Sequence, residues 1–194
     1  MWKRLQCCLE NLEVISCCSI KIIYEGDGTD TEGGKLTKLV LRDLENLGHI
    51  WQCDDLPNVS FPNLRDVEVV RCSHLEMLFP TFTTKFLGQI EELMVESCED
   101  MKQIAGHEKP EEAVGMTITF SKLIALRLFE LPKFKSFLPE GYSLKFPCSK
   151  DFPSLRHLSI VSCGAEPNQV LGHWGTHQFI RDQHFFRYEK GLGN

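Results

Sequence analysis

No apolar run in these 194 residues approaches the roughly 18 that a membrane-spanning helix requires. The richest stretches, Leu39-Val40-Leu41 and Ile22-Ile23-Tyr24, are broken within a few positions, so no membrane span is expected. Positive charge is scarce too. The 21 basic residues are outnumbered by 27 acidic ones, giving a formal charge of -6 and a pI near 5.7. That balance lacks the footprint of a nucleic-acid or anionic-membrane binder. Metal-ligand spacing is also missing: Cys7, Cys8, Cys18, Cys53 and Cys148 form no C-x-x-C pair and no zinc-finger array, so neither a metal nor a cofactor is expected. The basic start Met1-Trp2-Lys3-Arg4 is followed by Glu10, Asn11 and Glu13 where a secretory signal needs apolar residues. With an odd count of nine cysteines, reduced thiols and a cytoplasmic location are the expectation.

Catalytic constellations are no better represented. Gly33-Gly34-Lys35-Leu36 imitates a phosphate-binding loop, but Gly28 stands six positions before Gly34 where five are needed, and Leu36 occupies the Mg²⁺-binding Ser/Thr position. Cys72 with His74, and His157 with Cys163, are the nearest thiol–imidazole pairs, yet both cysteines fall at positions expected to be buried, where a thiol is unreactive. His173 and His177 lie beside Gly172 and Gly175, which oppose a helix that would bring them together. Asn58-Val59-Ser60 matches a glycosylation sequon without a secretory context. An enzyme is not expected.

What the chain does have is apolar residues at recurring offsets. Leu, Ile, Val and Phe make up 58 of 194 residues, 24, 11, 10 and 13 respectively, well above the roughly 20% below which chains stay disordered. The frame is clearest in Leu64-x-x-Val67-x-Val69-x-x-Cys72-x-x-Leu75-x-x-Leu78. It recurs in Leu9, Leu12, Val14, Cys17, Ile20, Ile23; in Leu36, Leu39, Leu41, Leu44, Leu47, Ile50; and in Ile90, Leu93, Val95, Cys98, Met101, Ile104. Two further copies are Leu123, Leu126, Leu128, Leu131, Phe134, Phe137 and the truncated Leu155, Leu158, Ile160, Cys163. Starts near 9, 36, 64, 90, 123 and 155 are 26 to 33 residues apart, inside or just beyond the roughly 20–29 of leucine-rich repeats. The longer steps carry turn-forming insertions, His107 to Glu112 and Pro139 to Ser143, and Gly26 to Gly34 separates the first two copies.

The spacing predicts a fold. Apolar-x-apolar, as in Val67-Glu68-Val69, is the period of a short strand with one face buried, so Glu68 points outward. The following every-third-residue spacing suits tight turns, 3₁₀ or irregular returns. Units this small bury their apolar edge only by stacking, which gives an α/β repeat: a leucine-rich-repeat solenoid with short parallel strands on its concave face and the returns on its convex face. The array is expected over residues 1–163. Residues 164–194, where the frame is lost after Gly164 among Pro167, four further glycines, Trp174 and Phe179, Phe185 and Phe186, are either a divergent cap or a frayed tail.

The phrases Phe61-Pro62-Asn63-Leu64-Arg65-Asp66-Val67-Glu68-Val69 and Phe152-Pro153-Ser154-Leu155-Arg156-His157-Leu158-Ser159-Ile160, each continuing to a Cys, resemble the irregular repeats of plant intracellular disease-resistance proteins of the coiled-coil NB-ARC class. The resemblance covers residues 5 to 163. It implies that the repeats recognise pathogen effectors or guarded host proteins, and restrain a nucleotide-switch domain whose own motifs are missing here. With no recognisable N-terminal cap, the chain reads as a fragment or a truncated paralogue. A leucine-rich-repeat substrate adaptor of a ubiquitin ligase is the alternative, weakened because no F-box-like helical segment precedes the array. Extracellular receptor repeats would carry Asn where this chain has Cys or Leu.

The candidate site is the outward side of the strands, with a protein as partner. Its central column is Glu13, Val40, Glu68, Met94, Arg127 and Ser159; the next is Ile15, Arg42, Val70, Glu96, Phe129 and Val161. The second column is expected to be an exposed apolar ladder of the kind that marks protein partners, unless a loop, the tail or a neighbouring domain covers it. Glu10, Glu13, Glu68, Glu91, Glu92 and Glu96 lean the first four strands negative, which suits a basic partner patch or simply a solvated face. Six strands about 4.8 Å apart span roughly 24 Å. That offers several hundred Å², short of the roughly 800 Å² per partner of a stable interface.

Overall fold

Each of the six apolar-x-apolar segments forms a strand, and the six lie side by side in the order of the sequence. The computed structural model describes residues 9–26, 34–53, 61–80, 87–106, 117–138, 143–145, 155–165 and 186–189. In chain order its strands are β1 (Asn11–Ile15), β2 (Ile22–Gly26), β3 (Lys38–Arg42), β4 (His49–Cys53), β5 (Asp66–Val70), β6 (Met77–Pro80) and β7 (Glu92–Glu96). They continue with β8 (Gln103–Gly106), β9 (Thr117–Thr119), β10 (Ala125–Leu131), β11 (Ser143–Lys145), β12 (His157–Cys163) and β13 (Phe186–Glu189). The main sheet runs β1-β3-β5-β7-β10-β12-β13, parallel throughout. The six frame copies supply all of it except β13, which joins from the region where the frame is lost.

The register is unshifted from rung to rung: Val14 faces Leu41, Leu41 faces Val69, Val69 faces Val95, Val95 faces Leu128 and Leu128 faces Ile160. Period two keeps each frame residue on the inner side. Every frame position of the second to fifth copies is buried. These residues form one continuous core through the stack, and the Leu, Val and Ile rungs are covered above and below as well as across.

The F-P-x-L phrase is a turn that starts the rung. Leu64 N donates to Phe61 O at 3.1 Å, with Pro62 at the position where its fixed φ suits a turn. The corresponding bonds Ile90 to Leu87 and Leu123 to Phe120 open later rungs. A second turn closes the strand: Leu47 N to Leu44 O, Leu75 N to Cys72 O, Met101 N to Cys98 O and Phe134 N to Leu131 O, all 3.1–3.3 Å. This is the tight return expected from the three-residue spacing, but the return then becomes more regular than the spacing suggested. β2 pairs with β4 and β6 with β8, both parallel, so Ile50, Leu78 and Ile104 reach the core from strands. Among the described residues there is no α-helix, and a single 3₁₀ turn occupies 87–89.

Between strand and turn lies a corner that the sequence hides. Ser16, Asp43, Arg71, Ser97, Glu130 and Ser162 occupy one position in six successive rungs, all with φ between 51° and 55°. A left-handed residue there bends the chain, placing two outward residues in succession before it dives inward. Hence Val69 is inside, Val70 and Arg71 outside, and Cys72 inside again. The x-x step of the frame is the imprint of this corner. The ladder continues through it, with Asp43 N donating to Val70 O at 3.0 Å and Ser97 N to Phe129 O at 3.0 Å.

Candidate protein-binding face

The outward side of the main sheet carries three columns at register positions. The first is Asn11, Lys38, Asp66, Glu92, Ala125 and His157; the second is Glu13, Val40, Glu68, Met94, Arg127 and Ser159; the third is Ile15, Arg42, Val70, Glu96, Phe129 and Val161. All twelve residues expected on the face are therefore aligned in their two expected columns. The first column was not singled out from sequence, although it follows from the same period. Its acidic centre is felt locally: burial raises the Asp66 pKa, and neighbouring Glu92 and Glu91 push it further up against Lys38 and Arg65.

Alignment did not bring uniform exposure. Ile15 is 44% exposed, Glu13 is exposed, and Arg42, Glu68, Met94, Glu96, Arg127, Phe129, Ser159 and Val161 are half-buried. Val40 and Val70 are only 6% exposed; of the apolar ladder expected along the third column, Val70 is therefore covered, while Ile15, Phe129 and Val161 remain at least partly accessible. The cause lies in a block formed by β3 and β5, in which Val40 and Val70 occupy one diagonal and Arg42 and Glu68 the other. Arg42 pairs with Glu68, its Nε donating to Oε1 at 2.8 Å. The ion pair crosses on the diagonal between the two valines, the placement in which long charged side chains lay their aliphatic stems along apolar surface.

The block formed by β7 and β10 has the same layout with the charges exchanged. Met94 and Phe129 take the apolar diagonal, Glu96 and Arg127 the charged one. Here the charged diagonal stays open: Arg127 Nη1 lies 3.5 Å from Glu92 Oε2, and no ion pair joins it to Glu96 among the described residues. Met94, Phe129 and the adjoining Val161 accordingly remain partly accessible. The face is thus sealed over β3 and β5 and open over β7, β10 and β12.

A stacked parallel sheet with this frame finds its counterpart among known proteins. The family model described as plant disease resistance protein RPS2-like, leucine-rich repeats, matches residues 1–99, just over half of the 194. The chain belongs to this family. No curated protein and no solved structure matches it.

In these RPS2-like repeats the recurrent cysteine is a packing residue. The thiols of Cys72, Cys98 and Cys163 reach carbonyls two residues back at 3.6, 3.4 and 3.5 Å. They also approach Leu41, Val69 and Leu128 of the preceding rung at 3.9, 4.0 and 3.7 Å. Burial pushes their pKa values up to about 11, 12 and 11, so they stay protonated and unreactive near neutrality. Cys17 departs from the expectation: it is exposed, because β1 ends the sheet order and no described strand lies beyond it. Leu12 and Ile20 of the same rung are only half-buried for the same reason. His74 turns to Asp100 at 3.3 Å while Cys72 is buried, so the two do not form a thiol–imidazole pair.

The remaining polar contacts tie neighbouring RPS2-like rungs together at the surface. Asp43 and Arg71 are joined bidentately, the second bond 3.0 Å long, which lowers the carboxyl pKa. Lys133 and His74 likewise hold the Asp100 carboxyl below its usual value. Lys102 meets Glu76 at 2.7 Å. Among the described residues no group of three or more His, Cys, Asp or Glu side chains could hold a metal, and no helix is long and apolar enough to cross a membrane. A cavity of about 20 Å³ lies between the first two rungs, walled by Leu12, Ile23, Leu39, Trp51 and Phe61. It has room for about one water. Cys7, Cys8, Cys148, the sequon at 58–60, His173 and His177 lie outside the described residues.

Proposed function

We propose that the chain is a protein-recognition module of plant immunity that works through the outward side of its main sheet, either sensing a pathogen effector or a guarded host protein, or contacting the NB-ARC domain of a longer parent chain. Membership of the RPS2-like repeat family carries this reading and favours it over a ubiquitin-ligase adaptor. Its fold is that of a non-enzymatic protein-interaction module. The binding set is drawn from Glu13, Ile15, Arg42, Glu68, Met94, Glu96, Arg127, Phe129, Ser159 and Val161, with Val40 and Val70 beneath them. Buried unpaired thiols at Cys72 and Cys98 fit a reducing, cytoplasmic setting.

The test is a double substitution, Ile15→Asp with Phe129→Asp, in plant tissue expressing the chain. We expect the variant to keep its circular dichroism spectrum and lose the chain's effect on the defence response. An unchanged response with an unchanged spectrum contradicts the reading.

A further inference from the structure

Resting on that reading, we propose that the open block over β7, β10 and β12 takes a protein segment in which an aliphatic or aromatic side chain stands beside a lysine or arginine. The apolar half of the recognition is Met94, Phe129 and Val161, three neighbouring half-buried side chains on the outward face. Strand spacing and the two-residue repeat place the corners of the block about 5 by 7 Å apart, the footprint of a single inserted side chain and its neighbour.

The cationic half follows from how the local charges are already committed. Glu96 lies across from Phe129 and has two arginines near it. Arg71, whose backbone N–H donates to Glu96 O at 2.9 Å, has its guanidinium held bidentately by Asp43. Arg127 leans on Glu92 at 3.5 Å. Glu130, thrust outward by its left-handed corner at φ 52°, receives only the neutral Ser97 hydroxyl, at 2.7 Å. Two carboxylates therefore flank Phe129 with no cation of their own among the described residues. In the sealed block the carboxylate of the charged diagonal, Glu68, is neutralised by Arg42 and the apolar pair is buried. An incoming cation at Glu96 and Glu130, with an apolar side chain on Phe129, would complete over β7 and β10 the arrangement that the chain completes by itself over β3 and β5. Complementary charge of this kind directs a partner to its register.

The experiment measures binding of the full chain to two fluorescent peptides of equal length, one alternating lysine and leucine, the other glutamate and leucine. We expect the lysine peptide to bind and the glutamate peptide not to. Glu96→Gln with Glu130→Gln should weaken binding about tenfold, equivalent to about 1.4 kcal/mol, and Phe129→Ala by at least as much. Glu76→Gln, on a return, should leave it unchanged. Thermal midpoints confirm that the variants fold, and Phe129→Leu replaces the alanine variant if that one does not. Loss with Phe129→Ala but not with the glutamine pair overturns the cation assignment and leaves the recognition face intact. Equal binding of both peptides, binding insensitive to every sheet variant, or no binding at all overturns the proposal, whereas the defence-response test above judges the recognition face by itself.

Discussion

At the scale of single residues, position in the frame and position in the register decide different things. Position in the frame sent Val67 and Val69 inward and Glu68 outward, and the structure places them so. Register decides whether an outward residue is accessible, and it was not legible one strand at a time: Val40 and Val70 are buried beside an ion pair whose members sit on two different rungs. Val70→Asp would place a new carboxylate under that pair, between Glu68 and Glu96, and should destabilise the fold by roughly 3 kcal/mol, measured by urea unfolding. Phe129→Asp should cost far less. The cysteines make a second prediction. Unfolded thiols lose their protons from about pH 9 upward, while the native ones hold theirs to about 11 or 12. Their contribution to stability is fully present below pH 9 and lost as pH rises through that window. Unfolding midpoints should fall between pH 9 and 11, and Cys98→Ala should reduce the slope. A thiol reagent at pH 7.5 should label Cys17 and spare Cys72 and Cys98.

At the scale of the element, the rung is a strand, a left-handed corner and a turn. The corner explains why two residues separate the second inward strand position from the cysteine. Its occupants, Ser, Asp, Arg and Glu, carry none of the Gly or Asn signature that marks left-handed backbone, so only the recurrence of the x-x gap betrayed it. Ser162, at φ 55°, should tolerate Gly within about 1 kcal/mol, whereas Ser162→Val should cost roughly 1–2 kcal/mol. The next step of the chain is more constrained. A Cβ on Gly164 would lie 2.3 Å from Pro132 O and 3.0 Å from Phe134 O, both backbone atoms. Gly164→Ala should therefore destabilise by about 1–3 kcal/mol, checked by the shift in urea midpoint. The strands of the return were missed because residues three apart, such as Leu75 and Leu78, suit a turn as well as the step from turn to strand. Pairing with the neighbouring return, as β6 with β8, decides between them.

At the scale of the whole molecule, stacking is what makes each rung stable. Rungs two to five bury their frames completely, while the first, with a neighbour on one side only among the described strands, leaves Leu12, Cys17 and Ile20 partly or largely accessible. Removing a core side chain from a middle rung, as in Leu93→Ala, should cost about 2–5 kcal/mol, and Leu12→Ala distinctly less. The repeat number, strand order and outward columns were all readable from recurrence. The division of the face into a sealed and an open part was not, because it depends on which charges pair across rungs. The face as the working surface is tested most directly by comparing two substitutions of the full chain for capture of its protein partner, Phe129→Asp on the sheet and Lys135→Asp on a return, with matched thermal midpoints. Capture should be lost in the first and kept in the second; capture retained by Phe129→Asp, or lost through Lys135→Asp, would contradict that role for the face.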